Sequence, residues 1–163
     1  MRKTMLKLLK QPMSQDRRQS ETALLVARGT RRLLRRLNFS TLTELPLLSG
    51  RRADIVALGS NGSIYIIEIK SSAADYRSDT KWREYRAHCD RFFFAIPESM
   101  KAGLMPADAG PILADAYSAD IVRQGAEHPM PPATRRAMLL RYAHAAALRL
   151  QRMTDPEVAA NGG

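Results

Sequence analysis

The chain has 163 residues, 45% hydrophobic and 26% charged, a formal net charge of +10 and one cysteine. That is about one domain, ordinary in composition and long enough to bury a core. No apolar run approaches the roughly 20 residues of a membrane span, and MRKTMLKLLK has neither the apolar stretch nor the small-residue cleavage site of a signal peptide. A cytoplasmic protein with no membrane among its partners is therefore expected, and Cys89 alone excludes an internal disulfide and a cysteine-based zinc cluster.

The charge is lopsided. Residues 1–36 hold eleven Lys and Arg against two Asp and Glu, whereas 37–163 hold fifteen against fourteen. A segregated basic segment is what a polyanion requires, because neutralised phosphates release condensed counterions. Nucleic acid, a ribosome and a membrane surface are all polyanions, and a solubilised helix is the plain alternative.

Residues 1–19 are basic and carry Met and Leu without a long stripe, so they read as a flexible arm ahead of a domain spanning 20–152. Ser20 is placed to cap a helix running through SETALLVARGTRRLLRRL, with Glu21 in its first turn. Ala23, Val26, Ala27, Thr30, Leu33, Leu34 and Leu37 recur at helical spacing and form the packing face. Opposite them, Arg28, Arg31, Arg32, Arg35 and Arg36 make a basic ridge, either a solvated face or a phosphate track. Gly29 inside this helix costs about 1 kcal/mol relative to alanine.

TLTELPLL is a short strand in which Pro46 points to an edge position or an early end to pairing. DIVALG and SIYIIEIK flank the turn signal SNG and predict a β-hairpin. Alternation puts Glu68 and Lys70 on the face of Ile64 and Ile66, with Tyr65, Ile67 and Ile69 on the other. Simple register then sets Asp54 across from Glu68. In SSAADYRSDTKWREYRAHCD, Ser78 or Asp79 is placed to cap a helix that carries Trp82, Tyr85 and Cys89 at three and four spacing, with Lys81 and Tyr85 on one face. Ser71, Ser72, Asp75, Arg77 and Asp79 fall on the connecting loop, as phosphate-site or turn residues.

RFFFAIP reads as a central strand covered on both faces. KAGLMPADAG is a loop, and PILADAY and SADIVRQ are a further strand pair. HPMPP breaks the chain before a last helix, ATRRAMLLRYAHAAALRLQRM, with Leu139, Tyr142, Ala143, Ala146 and Leu150 as its packing stripe. Residues 153–163 are an expected disordered tail. The fold class is α/β, a small mixed sheet flanked by helices.

Asp54, Glu68 and Lys70 together suit one kind of chemistry. Two carboxylates can hold a hard cation such as Mg²⁺, which keeps several waters and takes few protein ligands. The cation acts as a Lewis acid on a phosphoryl oxygen while the lysine orients water or offsets charge. Hydrolysis of a phosphodiester is implied, against the alternative of a surface charge cluster at two strand ends. Glu44 is a candidate third carboxylate, or a solvent-facing strand residue. Arg51 and Arg52 precede Asp54 closely enough to contact a phosphate or to neutralise the acids. No GxGxxG, P-loop or HExxH occurs, and His88, His128 and His144 lack metal-ligand spacing.

Asp54, thirteen residues, then Glu68-Ile69-Lys70 on consecutive strands resembles the active-site signature of the PD-(D/E)xK nuclease superfamily, with Ala53 where that pattern has proline. The longer strings GRRADIVAL, IIEIKSSAADYRSDTKWREYRAHCDRFFFAIP and ILADAY resemble the MmcB-like family of bacterial DNA-repair proteins, over roughly Glu44 to Arg152. The resemblance implies a restriction-endonuclease-like αβββαβ core and a metal-dependent DNA nuclease in repair. Mg²⁺ or Mn²⁺ would be held by Asp54, Glu68 and the Ile69 carbonyl, and Lys70 would position the attacking water. Arg51, Arg52, Arg28, Arg32 and Arg35 would contact DNA, the expected partner alongside other repair proteins. Lys81 and Tyr85 occupy places similar to a polar residue and a tyrosine of the RecB-like branch, though lysine replaces the usual glutamine. Two further readings stay open: a DNA-binding module of the same fold with little turnover, and an RNA-directed nuclease.

Overall fold

The computed structural model of the chain describes residues 15–156, with side chains from Glu21 onward; residues 1–14 of the expected arm and 157–163 of the expected tail lie outside the described residues. The elements are α1 (Gln15–Arg36), β1 (Phe39–Pro46), β2 (Arg52–Gly59), β3 (Ile64–Ile69), α2 (Ala73–Ser78), a 3₁₀ helix (Trp82–His88), β4 (Arg91–Ile96), β5 (Gly110–Ala114), β6 (Ala119–Ile121) and α3 (Pro132–Thr154). The strands form one mixed sheet in the order β1-β2-β3-β4-β5-β6. β1 to β3 run as an antiparallel meander, β4 and β5 lie parallel to β3, and β6 returns antiparallel. The expected α/β class and the order helix, three strands, helix, strand are both present.

The hairpin forms where the turn signal sits. Gly59 N–H donates to Ser63 O (2.8 Å), Asn61 Oδ1 accepts from Ser63 N (3.0 Å), and Gly62 takes φ +87, a conformation open to glycine at no steric cost. Pro46 lies on β1, at the sheet's edge, as a missing donor requires. β4 sits inside the sheet with Phe92, Phe93 and Phe94 buried, which is why its sequence is apolar on both faces.

Each face carries its own layer. Val26, Leu33 and Leu34 of α1 pack on Ile55, Ala57, Ile67 and Phe93. On the other face, Trp82, Tyr85, Met138 and Tyr142 pack on Val56, Ile66, Phe92 and Phe94. Of the stripe expected on α1, Val26, Thr30, Leu33 and Leu34 are buried and Ala23 and Ala27 half-buried, while Leu37 lies past the helix end and is exposed. α1 begins at Gln15, so Ser20 is inside the helix and not its cap. The residues from Gln15 to Gln19 are fair helix formers and contain no breaker. Gly29 has a positive use: a Cβ there would stand 2.1 Å from Asp115 O and 2.5 Å from Ser118 O, so the helix backbone rests directly on the β5–β6 turn.

Two local expectations need correction. The single helix expected from Ser78 or Asp79 is instead two short ones. Ser72 Oγ accepts from Asp75 N (3.1 Å) and caps α2 early, while Asp79 Oδ1 takes Lys81 N (3.0 Å) and turns the chain. Trp82 and Tyr85, three apart, then enter the core from a 3₁₀ helix, whose period is three. Lys81 is exposed and Tyr85 buried, so the two share no face. On α3 the buried residues are Met138 and Tyr142, with Leu139 and Ala145 packed beside them, whereas Ala143 and Leu150 are exposed. Arg141 donates to Pro46 O (3.1 Å) and Arg149 to Thr43 O (2.6 Å) and Glu44 O (3.1 Å). These bonds turn the arginines of α3 toward β1 and cover the strand's open edge.

Candidate active site

β2 and β3 pair from Leu58–Ile64 to Ile55–Ile67, and the next residues outward are Asp54 and Glu68. Here side chains replace the ladder. Asp54 N–H donates to Glu68 Oε1 (3.0 Å), and Ile69 N–H donates to Asp54 Oδ2 (2.8 Å). Each carboxylate is thus pinned by the other strand's backbone, and the two acids are held together at the mouth of the sheet.

The alternation of β1 and β2 breaks at this point. Leu42 and Leu45, three apart, both pack on the α3 side, and so do Ala53 and Val56. Between them sit Glu44, at φ +54, and Asp54, the two residues that the β1–β2 register passes over between Thr43–Ile55 and Leu45–Ala53. A left-handed glutamate costs of order 1 kcal/mol or more, and Arg149 holds its carbonyl in place. The break turns the Asp54 carboxylate along the sheet toward Ile69 N–H.

Glu68 is 6% exposed, and burial together with the adjacent Asp54 pushes its carboxyl up to about 8. Burial also raises Asp54; the Ile69 N–H opposes that and Glu44 adds to it. Lys70 is buried too, but its Nζ lies 2.8 Å from Asp79 Oδ2. Burial is the largest influence on Asp79 and works upward, yet the hydrogen bond and charge of Lys70 and the N–H groups of Lys81 and Trp82 together outweigh it and hold that carboxyl below its ordinary range. Tyr85 donates its hydroxyl to Arg52 O (3.1 Å); burial, then Glu68 and Asp54, push it up to about 12.

A cleft of about 1470 Å³ joins these acids to α1. Glu44, Asp54, Glu68, Ile69 and Lys70 line one part, and Arg28, Arg31, Arg32 and Arg35 another. Arg31 Nε donates to Thr41 Oγ1 (3.2 Å) and Arg32 to Tyr117 O (3.4 Å). Arg28 and Arg35 make no hydrogen bond or ion pair among the described residues, so both are available to a ligand. Arg51 and Arg52 are placed elsewhere: Arg51 forms a two-pronged pair with Glu84 (2.5 and 3.2 Å), Arg52 pairs with Glu44, and neither lines the cleft. Lys81 and Tyr85 do not line it either. Arg31 was legible as a cleft residue from its spacing between Arg28 and Arg35. Asp79, the partner of Lys70, had no such signal.

Among the described residues no three His, Cys, Asp or Glu side chains gather as a metal cluster. What is present is a carboxylate pair, each member with one oxygen taken by a backbone N–H and the other without a hydrogen-bond partner among the described residues. Half-buried Asp54 beside buried Glu68, with the nearby lysine turned to Asp79, disfavours two negative charges, and a cation would relieve that. Mg²⁺ or Mn²⁺, keeping most of its waters, fits that donor set.

The family described as DNA repair protein MmcB-like matches residues 10–157. The chain belongs to that family. Membership points to DNA repair, and so to contact with DNA. This MmcB-like chain is also similar to the solved SPO1766 protein of unknown function from Silicibacter pomeroyi, at 44% identity and a TM-score of 0.76, over 81% of this chain and 90% of that one. No curated protein matches it. Among the described residues no helix is long and apolar enough to cross a membrane.

Proposed function

We propose that this chain is a Mg²⁺- or Mn²⁺-dependent DNA nuclease of the PD-(D/E)xK type, working in repair. The observation that carries the reading is the crossed Asp54–Glu68 pair, held by backbone N–H groups at one end of a cleft lined by Arg28, Arg31 and Arg35. Asp54, Glu68 and the Ile69 carbonyl would hold the cation, with Glu44 as an additional acid once released from Arg52. When bound, such a cation polarises a phosphoryl oxygen and lowers the pKa of a water. The chain's own residues do the rest. The α1 arginines hold phosphates on either side of the scissile bond. Lys70, released from Asp79, orients the attacking water and offsets charge that develops on the phosphate. Partners in the same pathway, other repair proteins, would deliver the substrate.

The test is cleavage of end-labelled DNA with Mg²⁺, with Mn²⁺ and with chelator, comparing the wild type with Glu68→Ala. Cuts that require the cation and fall at least about a hundredfold in the variant support the nuclease. If neither protein cuts any substrate, the reading is wrong. A second reading, a DNA-binding module of the same fold, draws on the buried Lys70–Asp79 pair, which keeps the lysine occupied. It expects Glu68→Ala to bind DNA and function like the wild type. Matched RNA and DNA oligonucleotides in competition separate an RNA-directed nuclease from both.

A further inference from the structure

The cleft has two ends. Asp54, Glu68 and Lys70 line one, and Phe39 and Gly59, partners in the β1–β2 register, line the other. Asp54 and Gly59 are five residues apart on β2, which is about 17 Å at the rise of a strand. The cleft thus runs along β2 from the paired acids to Phe39.

The lining distinguishes one strand from two. A duplex keeps its bases inside and offers phosphate and sugar to a protein surface, for which arginines and polar groups suffice. Here Ala23, Leu24 and Ala27 line the cleft alongside the arginines, and Leu24 is 69% exposed. Phe39 lines it at the far end, its ring 4.6 Å from that of Tyr65, which in turn lies 5.3 Å from Phe93. Apolar walls and an aromatic ring backed by Tyr65 and Phe93 suit a ligand whose bases enter.

We infer that the substrate of this cleft is single-stranded nucleic acid. Its phosphates follow Arg28, Arg31 and Arg35, its scissile bond lies at Asp54 and Glu68, and one of its bases stacks on Phe39. The inference rests on the reading that nucleic acid enters this cleft, and it deepens that reading by naming the strand. Stacking on Phe39 is sequence-tolerant, because every base has a π-face.

The experiment is competition for a fluorescent twelve-nucleotide thymidine strand bound to the full chain, in chelator so that no strand is cut. The competitors are the unlabelled strand, an abasic strand of the same length and charge, and a twelve-base-pair duplex. The thymidine strand should compete about tenfold better than the abasic one and better than the duplex, and Phe39→Ala should remove the margin over the abasic strand. Replacing Arg28, Arg31 and Arg35 by alanine together should flatten the slope of log affinity against log salt by about 2, at about 0.7 per single-strand phosphate. Equal competition by the abasic strand or the duplex overturns the inference, as does an unchanged salt slope. The abasic comparison is made on the wild type and needs no variant to fold. A protein that cuts nothing yet keeps the tenfold margin retains this inference and ends the nuclease reading. One that cuts duplex DNA and shows no margin does the reverse.

Discussion

Lys70 is a cation placed where little water reaches it, 7% exposed, and its charge is answered by Asp79 at 2.8 Å. Its backbone is held at the end of the sheet by Lys70 N–H to Ala95 O (2.9 Å). Removing one partner of such a pair leaves the other buried and uncompensated. Asp79→Asn or Lys70→Met alone should therefore lower stability by about 1–3 kcal/mol, the low end allowing for the partial exposure of Asp79. The Lys70→Met/Asp79→Asn double variant should recover much of that loss. Urea denaturation of the four proteins measures the coupling, and additive losses would show that the pair is not an energetic unit. At this scale the sequence was informative where a strand sets the geometry. Glu68 opposite Asp54 followed from period-two alternation and a turn of known chemistry. Asp79 did not follow, because its approach to Lys70 depends on a cap at Ser72 and a turn at Lys81 that no periodicity announces.

Among the elements, α1 does two jobs with its two faces. Val26, Leu33 and Leu34 hold it on the sheet, and this fixes Arg28, Arg31 and Arg35 along the cleft. Its seating depends on Gly29. Alanine there would gain about 1 kcal/mol in helix propensity, but its Cβ would lie 2.1 and 2.5 Å from two backbone oxygens of the β5–β6 turn, which have no flexible side chain to move aside. Gly29→Ala should cost about 2 kcal/mol or more net, since overpacking forces backbone shifts, and it should weaken DNA binding by displacing the arginine row. Chemical denaturation and binding titration check both, and a stabilised variant would mean that the helix does not rest on that turn. The amphipathic pattern of α1 was plain in the sequence because one face is apolar and the other is arginine. The pattern of α3 misled by one position. Its face is decided by Arg141 and Arg149 reaching the free carbonyls of β1, and a hydrophobic stripe does not report such bonds.

Stability against pH belongs to the whole molecule, because the carboxylates that matter lie at opposite ends of β3 and pull in opposite directions. Near the start of β3, Asp90 accepts from Ile64 N (2.8 Å) and from both Nη atoms of Arg135 (2.9 and 2.5 Å), tying α3 to the hairpin. Burial works upward on Asp90, but Arg135 and the Ile64 N–H outweigh it and hold it below its ordinary range. A carboxylate of this kind adds stability above its unfolded pKa and loses it as pH falls through the lower native value. At the other end, Glu68 is raised from 4.5 to about 8. Between those values the native state holds a proton that the unfolded state has released, so stability falls as pH rises through the window and levels off above it. Asp54 is raised in the same sense. The metal-free protein should accordingly be most stable near pH 5 and lose on the order of a few kcal/mol by pH 9. Glu68→Gln should flatten the alkaline limb and leave the acid limb intact. Asp90→Asn should weaken the acid limb and leave the alkaline one. Denaturant midpoints from pH 3 to 9 in chelator measure all three proteins. A wild type that is flat between pH 5 and 8 would mean that the two acids at the strand ends are not forced together. A cation bound by this pair must first displace the proton that Glu68 holds, so added Mg²⁺ should raise the midpoint of the wild type more at pH 8 than at pH 6 and leave Glu68→Gln almost unmoved.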